Sequence, residues 1–100
     1  MTLDLLAAPE SAQNSPWSHP ATYWGALTAA TADLSGPIAT LSIPAMRYNA
    51  LDMVVRSGGV PIRVASKSIR VREIIDATLA LPGYAGILAF TLPEALEAVR

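Results

Sequence analysis

The stretch Pro61-Ile62-Arg63-Val64-Ala65-Ser66-Lys67-Ser68 is a short apolar run, broken by one arginine, that ends on a lysine. Gly58-Gly59 bounds it on the amino side, and Ser68 suits the N-cap of a following helix. The stretch therefore reads as a junction between a strand, Val60 to Ser66, and a helix running to about Leu81. Lys67 is the only lysine in the chain, and every other basic residue is arginine. A guanidinium stays charged, so arginine cannot stand in where an amine must lose its proton. Burial or a nearby cation favours the neutral amine and makes it a nucleophile toward carbonyls. In an extended strand, Arg63, Ala65 and Lys67 share one face. Taken alone, these residues favour the plainer reading of a strand-end lysine in solvent.

The same junction recurs on both sides. Ile38-Ala39-Thr40-Leu41-Ser42-Ile43 reads as an earlier strand, followed by a helix over 44–57. Pro44 fits the first turn of that helix, and Met46, Asn49, Ala50, Met53 and Val54 form one stripe. Asn49 is its polar member, read as a side chain satisfied by backbone. Asp52 and Arg56 are spaced for an outward ion pair. In the helix after Lys67, Val71, Ile74, Ile75, Thr78 and Leu79 give the buried stripe; Arg70 and Arg72 read as a solvated face. Pro82-Gly83 stops it. Ala85-Gly86-Ile87-Leu88-Ala89-Phe90 reads as a third strand, and Thr91-Leu92-Pro93-Glu94 matches a capping box opening a last helix.

Strands alternating with helices imply parallel pairing, and continuous apolar runs fit strands covered on both faces. Three such strands are few for a complete sheet, because a (β/α)8 barrel takes about 250 residues. The expectation is therefore an α/β fold made of the first three β/α units of a TIM-type (β/α)8 barrel, truncated, the front part of a longer chain. Two segments follow: 1–36, an N-terminal arm and helix, and 37–100, the partial barrel. Within the first, Pro9, Pro16 and Pro20 punctuate a polar stretch read as a mobile arm, with a short helical turn over Met1 to Ala8. Trp17 reads as docking on a neighbouring surface, and His19 has no partner for catalysis. Tyr23, Leu27, Ala30 and Leu34 mark a helix over 21–34, with Ser18 its candidate cap.

Three of these stretches together resemble a known family: the one around Lys67, then Leu81-Pro82-Gly83-Tyr84-Ala85-Gly86, then Thr91-Leu92-Pro93-Glu94-Ala95-Leu96. In order and spacing they are similar to the N-terminal, alanine-racemase-like barrel of fold-type III pyridoxal phosphate (PLP) enzymes. The branch most resembled is amino acid deaminase/aldolase, related to D-threonine aldolase and D-serine dehydratase. The resemblance covers about residues 20–100, and Asn49 fits it. It implies a PLP-binding barrel followed by a β-domain, with Lys67 as the catalytic, cofactor-binding lysine that forms a Schiff base with PLP. It also implies an amino acid substrate and a homodimer in the full-length form. Arg63 matches an arginine four residues before that lysine. Thr91, ending the third strand on the same rim, would face the cofactor or cap its helix. The chain departs from the pattern at Ser42 and Pro44, where relatives often carry an acid, and at Ala65, where the aldolase branch carries a histidine.

The leading expectation is thus the N-terminal part of a PLP-dependent enzyme of deaminase, aldolase or racemase type. The alternatives are a non-catalytic PLP-binding homeostasis protein and an inactive truncated fragment. Composition narrows the field further. The 100 residues are 52% hydrophobic with a net charge of −1, which gives no basic surface for nucleic acid. The chain has no cysteine and one histidine, which excludes disulfides and His- or Cys-based metal sites. No apolar run approaches the roughly 20 residues that span a bilayer. The expected setting is the cytoplasm, with no membrane or nucleic-acid partner.

Overall fold

The computed structural model describes residues 2–7 and 18–99. Among the described residues, seven elements follow one another: α1 (Pro20–Ala30), α2 (Ile43–Arg56), β1 (Ile62–Ala65), α3 (Ser66–Ile69), α4 (Arg72–Leu79), β2 (Tyr84–Leu88) and α5 (Leu92–Ala98). The two strands form a two-stranded parallel sheet, crossed over by α3 and α4.

The expected three β/α units of a truncated TIM-type barrel are not what the chain forms. Two parallel strands cannot hold three such units. The strand expected over Ile38–Ile43 is absent: residues 38–42 carry no regular structure, and Ile43 already belongs to α2. Local chemistry explains the difference. Ser42 sits at the N-cap, its Oγ accepting from the Ala45 N–H at 3.4 Å, and Pro44 falls in the first turn. Both features begin a helix one residue earlier than the apolar run suggests. The rest of the run finds no ladder partner and leaves Ile38 and Leu41 exposed.

The helix after Lys67 also differs. It is broken at Arg70, whose φ of 55° is left-handed, into the single turn α3 and the separate helix α4. Ser68 lies inside α3 rather than capping a long helix. The other elements fall close to their expected places. Helix α1 ends at Ala30, four residues short of Leu34, with His19 rather than Ser18 at its N-cap position. Asp52 and Arg56 pair at 3.0 Å on the exposed side of α2. Thr91 Oγ1 accepts from the Glu94 N–H at 3.3 Å and caps α5. Trp17 lies outside the described residues.

The core is small. Ala50 of α2, Ala77 of α4 and Leu81 meet Leu5, with Met46, Leu51 and Tyr84 packed around them. Leu5 is only 1% exposed, in the segment read from sequence as a short helical turn at the start of a mobile arm. It is held by a turn in which Asp4 Oδ1 accepts from the Leu6 N–H at 3.0 Å. Tyr84 fastens α2 to the sheet: its hydroxyl donates to the Ala50 carbonyl at 2.7 Å, and its backbone pairs with Ile62. Just before it, Gly83 has a φ of +99°, and a Cβ there would lie 2.7 Å from Val54 Cγ1. Along the ladder, Ile62 faces Tyr84 but Val64 faces Ile87, so β2 carries one extra residue. Gly86, at φ +94°, lies in this bulge.

Two outcomes follow from this arrangement. Gly83→Ala combines a left-handed backbone with a clash, and should lower the unfolding free energy by about 2–4 kcal/mol. Urea denaturation checks this, and adding Val54→Ala should recover part of the loss. Burial pushes the Tyr84 phenol above its ordinary value of 10.0. The unfolded chain then releases that proton before the folded chain does, so stability is full below pH 10 and falls as pH rises beyond it. Tyr84→Phe should flatten the fall in a melting-temperature profile, while costing about 1 kcal/mol at neutral pH through the lost hydrogen bond.

Candidate functional site

The site lies where the parallel strands end. Ala65 pairs with Leu88, so the residues just past β1 and just past β2 leave the sheet on the same rim. Past β1 come Ser66 and Lys67 in α3. Past β2 come Phe90, Thr91 and then α5.

Lys67 is exposed and occupies the second position of α3. It has left the strand, so the alternation expected to place Arg63, Ala65 and Lys67 on one face stops at Ala65. Arg63 remains in β1, exposed, and its guanidinium lies beside the backbone of Gly86. The structure therefore puts Arg63 against the bulge and Lys67 on the rim. Thr91 is also exposed on that rim, with its hydroxyl engaged as the cap of α5. His19 and Asn49 lie on the surface elsewhere, in the approach to α1 and on α2.

The turn carrying Lys67 is fastened at both ends. At its start, Ser66 is 3% exposed, and its hydroxyl donates to Glu94 Oε1 at 2.6 Å. That length is typical of a hydroxyl bound to a carboxylate. The Leu88 carbonyl lies 3.5 Å from the same oxygen. At its end, the Arg70 N–H donates to the Ser66 carbonyl at 2.9 Å, and Arg70 Nε donates to the Lys67 carbonyl at 3.1 Å. The left-handed backbone at Arg70 brings its guanidinium back over the turn. Both ends of α3 are thus tied by side chains, although its N-cap residue, Ala65, offers none.

Beside this turn runs an open trough of about 550 Å³, lined by Ser66, Arg70, Arg72, Phe90, Thr91 and Glu94 among others. Arg72 crosses it, donating to the Glu97 carbonyl at 3.2 Å and lying near the Asp76 and Glu97 carboxylates. Lys67 borders this trough in sequence but does not line it. A second trough of about 560 Å³ lies between α2 and β1 and is mainly apolar, with Met46, Met53, Ile62 and Val64 in its wall. Among the described residues, no group of three or more His, Cys, Asp or Glu side chains is placed to hold a metal ion. No helix among them is long and apolar enough to cross a membrane.

Ser66 and Glu94 escaped the sequence reading in this role. Glu94 was expected to complete a capping box by bonding back to the Thr91 backbone; its carboxylate instead accepts the Ser66 hydroxyl. The strand register carried only a partial signal: it sets Ser66 level with Ala89, and Glu94 reaches it from the first turn of α5.

Compared with protein-family models, curated proteins and solved structures, the chain gives no match.

Proposed function

We propose that this chain takes part in PLP-dependent chemistry on amino acids in the cytoplasm, with Lys67 as the residue that binds the cofactor covalently. The reading is supported by one observation above the others. The sole lysine is exposed on a clamped turn directly past the carboxyl end of a parallel strand. Ligands of open α/β sheets bind outside the carboxyl ends of strands.

The residues present suit the cofactor in one respect: an aldehyde requires an accessible primary amine, which Lys67 offers. They do not make a phosphate site with it, since Arg70 is bonded to the Lys67 carbonyl and lines a trough that carries Asp76, Glu94 and Glu97 and does not include Lys67. When bound, PLP supplies an electron sink for a carbanion developing on an amino acid substrate. The chain's own contribution is to hold the Lys67 amine exposed at the rim, on a turn fastened at both ends. With the cofactor bound, Lys67 would be the group to hold it, and its Nζ would be the group to accept or return a proton. Deamination, aldol cleavage and racemisation all begin from this arrangement. Assembly into a homodimer belongs to the same reading.

The test is borohydride reduction of the full chain with PLP, followed by peptide mapping. A single adduct on Lys67, absent from Lys67→Ala and Lys67→Arg, is the expected result. Adducts divided evenly between Lys67 and the N-terminal amine would reduce the lysine to ordinary amine reactivity. An adduct on Lys67 without turnover of any amino acid would favour the non-catalytic PLP-binding role.

A further inference from the structure

We propose that α5 is the interaction surface of a two-fold dimer, its partner a second copy of this chain packed antiparallel along Leu92, Leu96 and Val99. The inference gives a surface to the homodimer of the reading above, but it stands on α5 alone, whatever Lys67 binds.

The helix has an inverted polarity. A surface helix ordinarily turns its apolar stripe to the core and its charges to water. In α5 the half-buried residues are Glu94, Ala95 and Ala98. Both carboxylates are directed at the body of the protein: Glu94 accepts the Ser66 hydroxyl, and Glu97 lies 3.9 Å from the Arg72 guanidinium. Leu92, Leu96 and Val99, spaced i, i+4 and i+7, share the face turned away from those carboxylates. They are 71%, 59% and 80% exposed. The large apolar side chains thus meet water, and the small and charged ones meet the protein.

Two properties of that face select a second copy as its partner. The first is self-complementarity. Leu96 stands four residues from Leu92 and three from Val99, so the stripe is nearly symmetric about it. A two-fold axis at Leu96 sets it against Leu96 of the partner subunit, and Leu92 against Val99 of the partner subunit. That reciprocal pairing is the rule for an isologous interface, and this stripe brings no charge against its like. The second is area. With Leu88 and Phe90, at the strand end that leads into α5, these side chains leave about 700 Å² in water. A specific interface buries about 600–1,000 Å² per partner.

Sedimentation velocity on the full chain, without cofactor, tests the proposal. Wild type should pass from monomer to dimer between about 1 and 100 μM, the weak end for an interface of this size. Leu96→Glu sets two carboxylates face to face on the axis, and should raise the dissociation constant about a hundredfold or more. Leu96 is exposed in the monomer, so circular dichroism should show the fold unchanged. The chain has no cysteine, so single cysteines report the geometry. Leu96→Cys should form a disulfide-linked dimer under mild oxidation. Leu92→Cys and Val99→Cys should cross-link with each other when mixed, and poorly with themselves. Val55→Cys on α2, also exposed, should stay monomeric. A wild type that remains monomeric at 100 μM would overturn the proposal. So would a dimer that survives Leu96→Glu, or a Val55→Cys chain that cross-links as readily as Leu96→Cys; each of these leaves the reading of Lys67 intact. Should Leu96→Glu fail to fold, the cysteine series decides the question.

Discussion

The hydroxyl of Tyr84, donated to the Ala50 carbonyl at 2.7 Å, is the bond on which the assembly of this small protein depends. Tyr84 begins β2, pairs by its backbone with β1, and packs its ring against the cluster of Leu5, Ala50, Ala77 and Leu81. It thereby ties α2, the sheet and α4 to one another. Little else performs that task, since two of the buried core residues are alanines. Each alanine brings its helix close to the sheet but buries little area, so the apolar contribution per residue is modest. Large apolar side chains remain outside the core: Val55 is 79% exposed, Phe90 71% and Val99 80%. A chain with so small a core is sensitive to single losses at Tyr84 or Gly83, where backbone conformation and side-chain contact coincide.

From the parallel pairing of β1 with β2 follows the site. Parallel strands release their chains at the same end; here β1 is followed at once by α3, and β2 by α5 after three residues. That geometry sets Ser66 of one connection against Glu94 of the next, and leaves Lys67 exposed beside them. A nucleophilic amine on a flexible surface loop would be an ordinary lysine. Here the turn that carries Lys67 is fastened by Glu94 through Ser66 on one side and by Arg70 on the other. The proposed chemistry asks for an accessible amine at such a place.

Much of this architecture was legible in the sequence, for local reasons. Proline in the first turn and a hydroxyl residue before it announce α2 and α5, and both helices begin there. The apolar runs read over Val60–Ser66 and Ala85–Phe90 became the strands Ile62–Ala65 and Tyr84–Leu88 because each had the other as a neighbour. The run at Ile38–Ile43 is also apolar but has no neighbour among the described residues, and it did not become one. Strand formation is settled by pairing, which local propensity does not encode. The barrel expectation failed at that point, since it required every such run to be paired. The break at Arg70 was hidden for a different reason. A left-handed residue is usually glycine or asparagine, and the bonds that accompany an arginine there, to the Ser66 and Lys67 carbonyls, carry no sequence signature. Leu5 was hidden too, because burial of a residue next to a polar, proline-rich stretch depends on contacts far away in the chain. Lys67 itself was singled out as the only lysine, whereas its anchor, Glu94, was read as a helix cap.

Because the chain has one lysine, its ε-carbon can be observed alone. The most direct test of the account is a carbon NMR titration of protein labelled with 13C at the lysine ε position, with PLP added stepwise. The account predicts that the single resonance moves away from the free-amine position at near-stoichiometric PLP, and that Lys67 is modified ahead of the N-terminal amine. A resonance that stays at the free-amine position while the N-terminal amine reacts would contradict it.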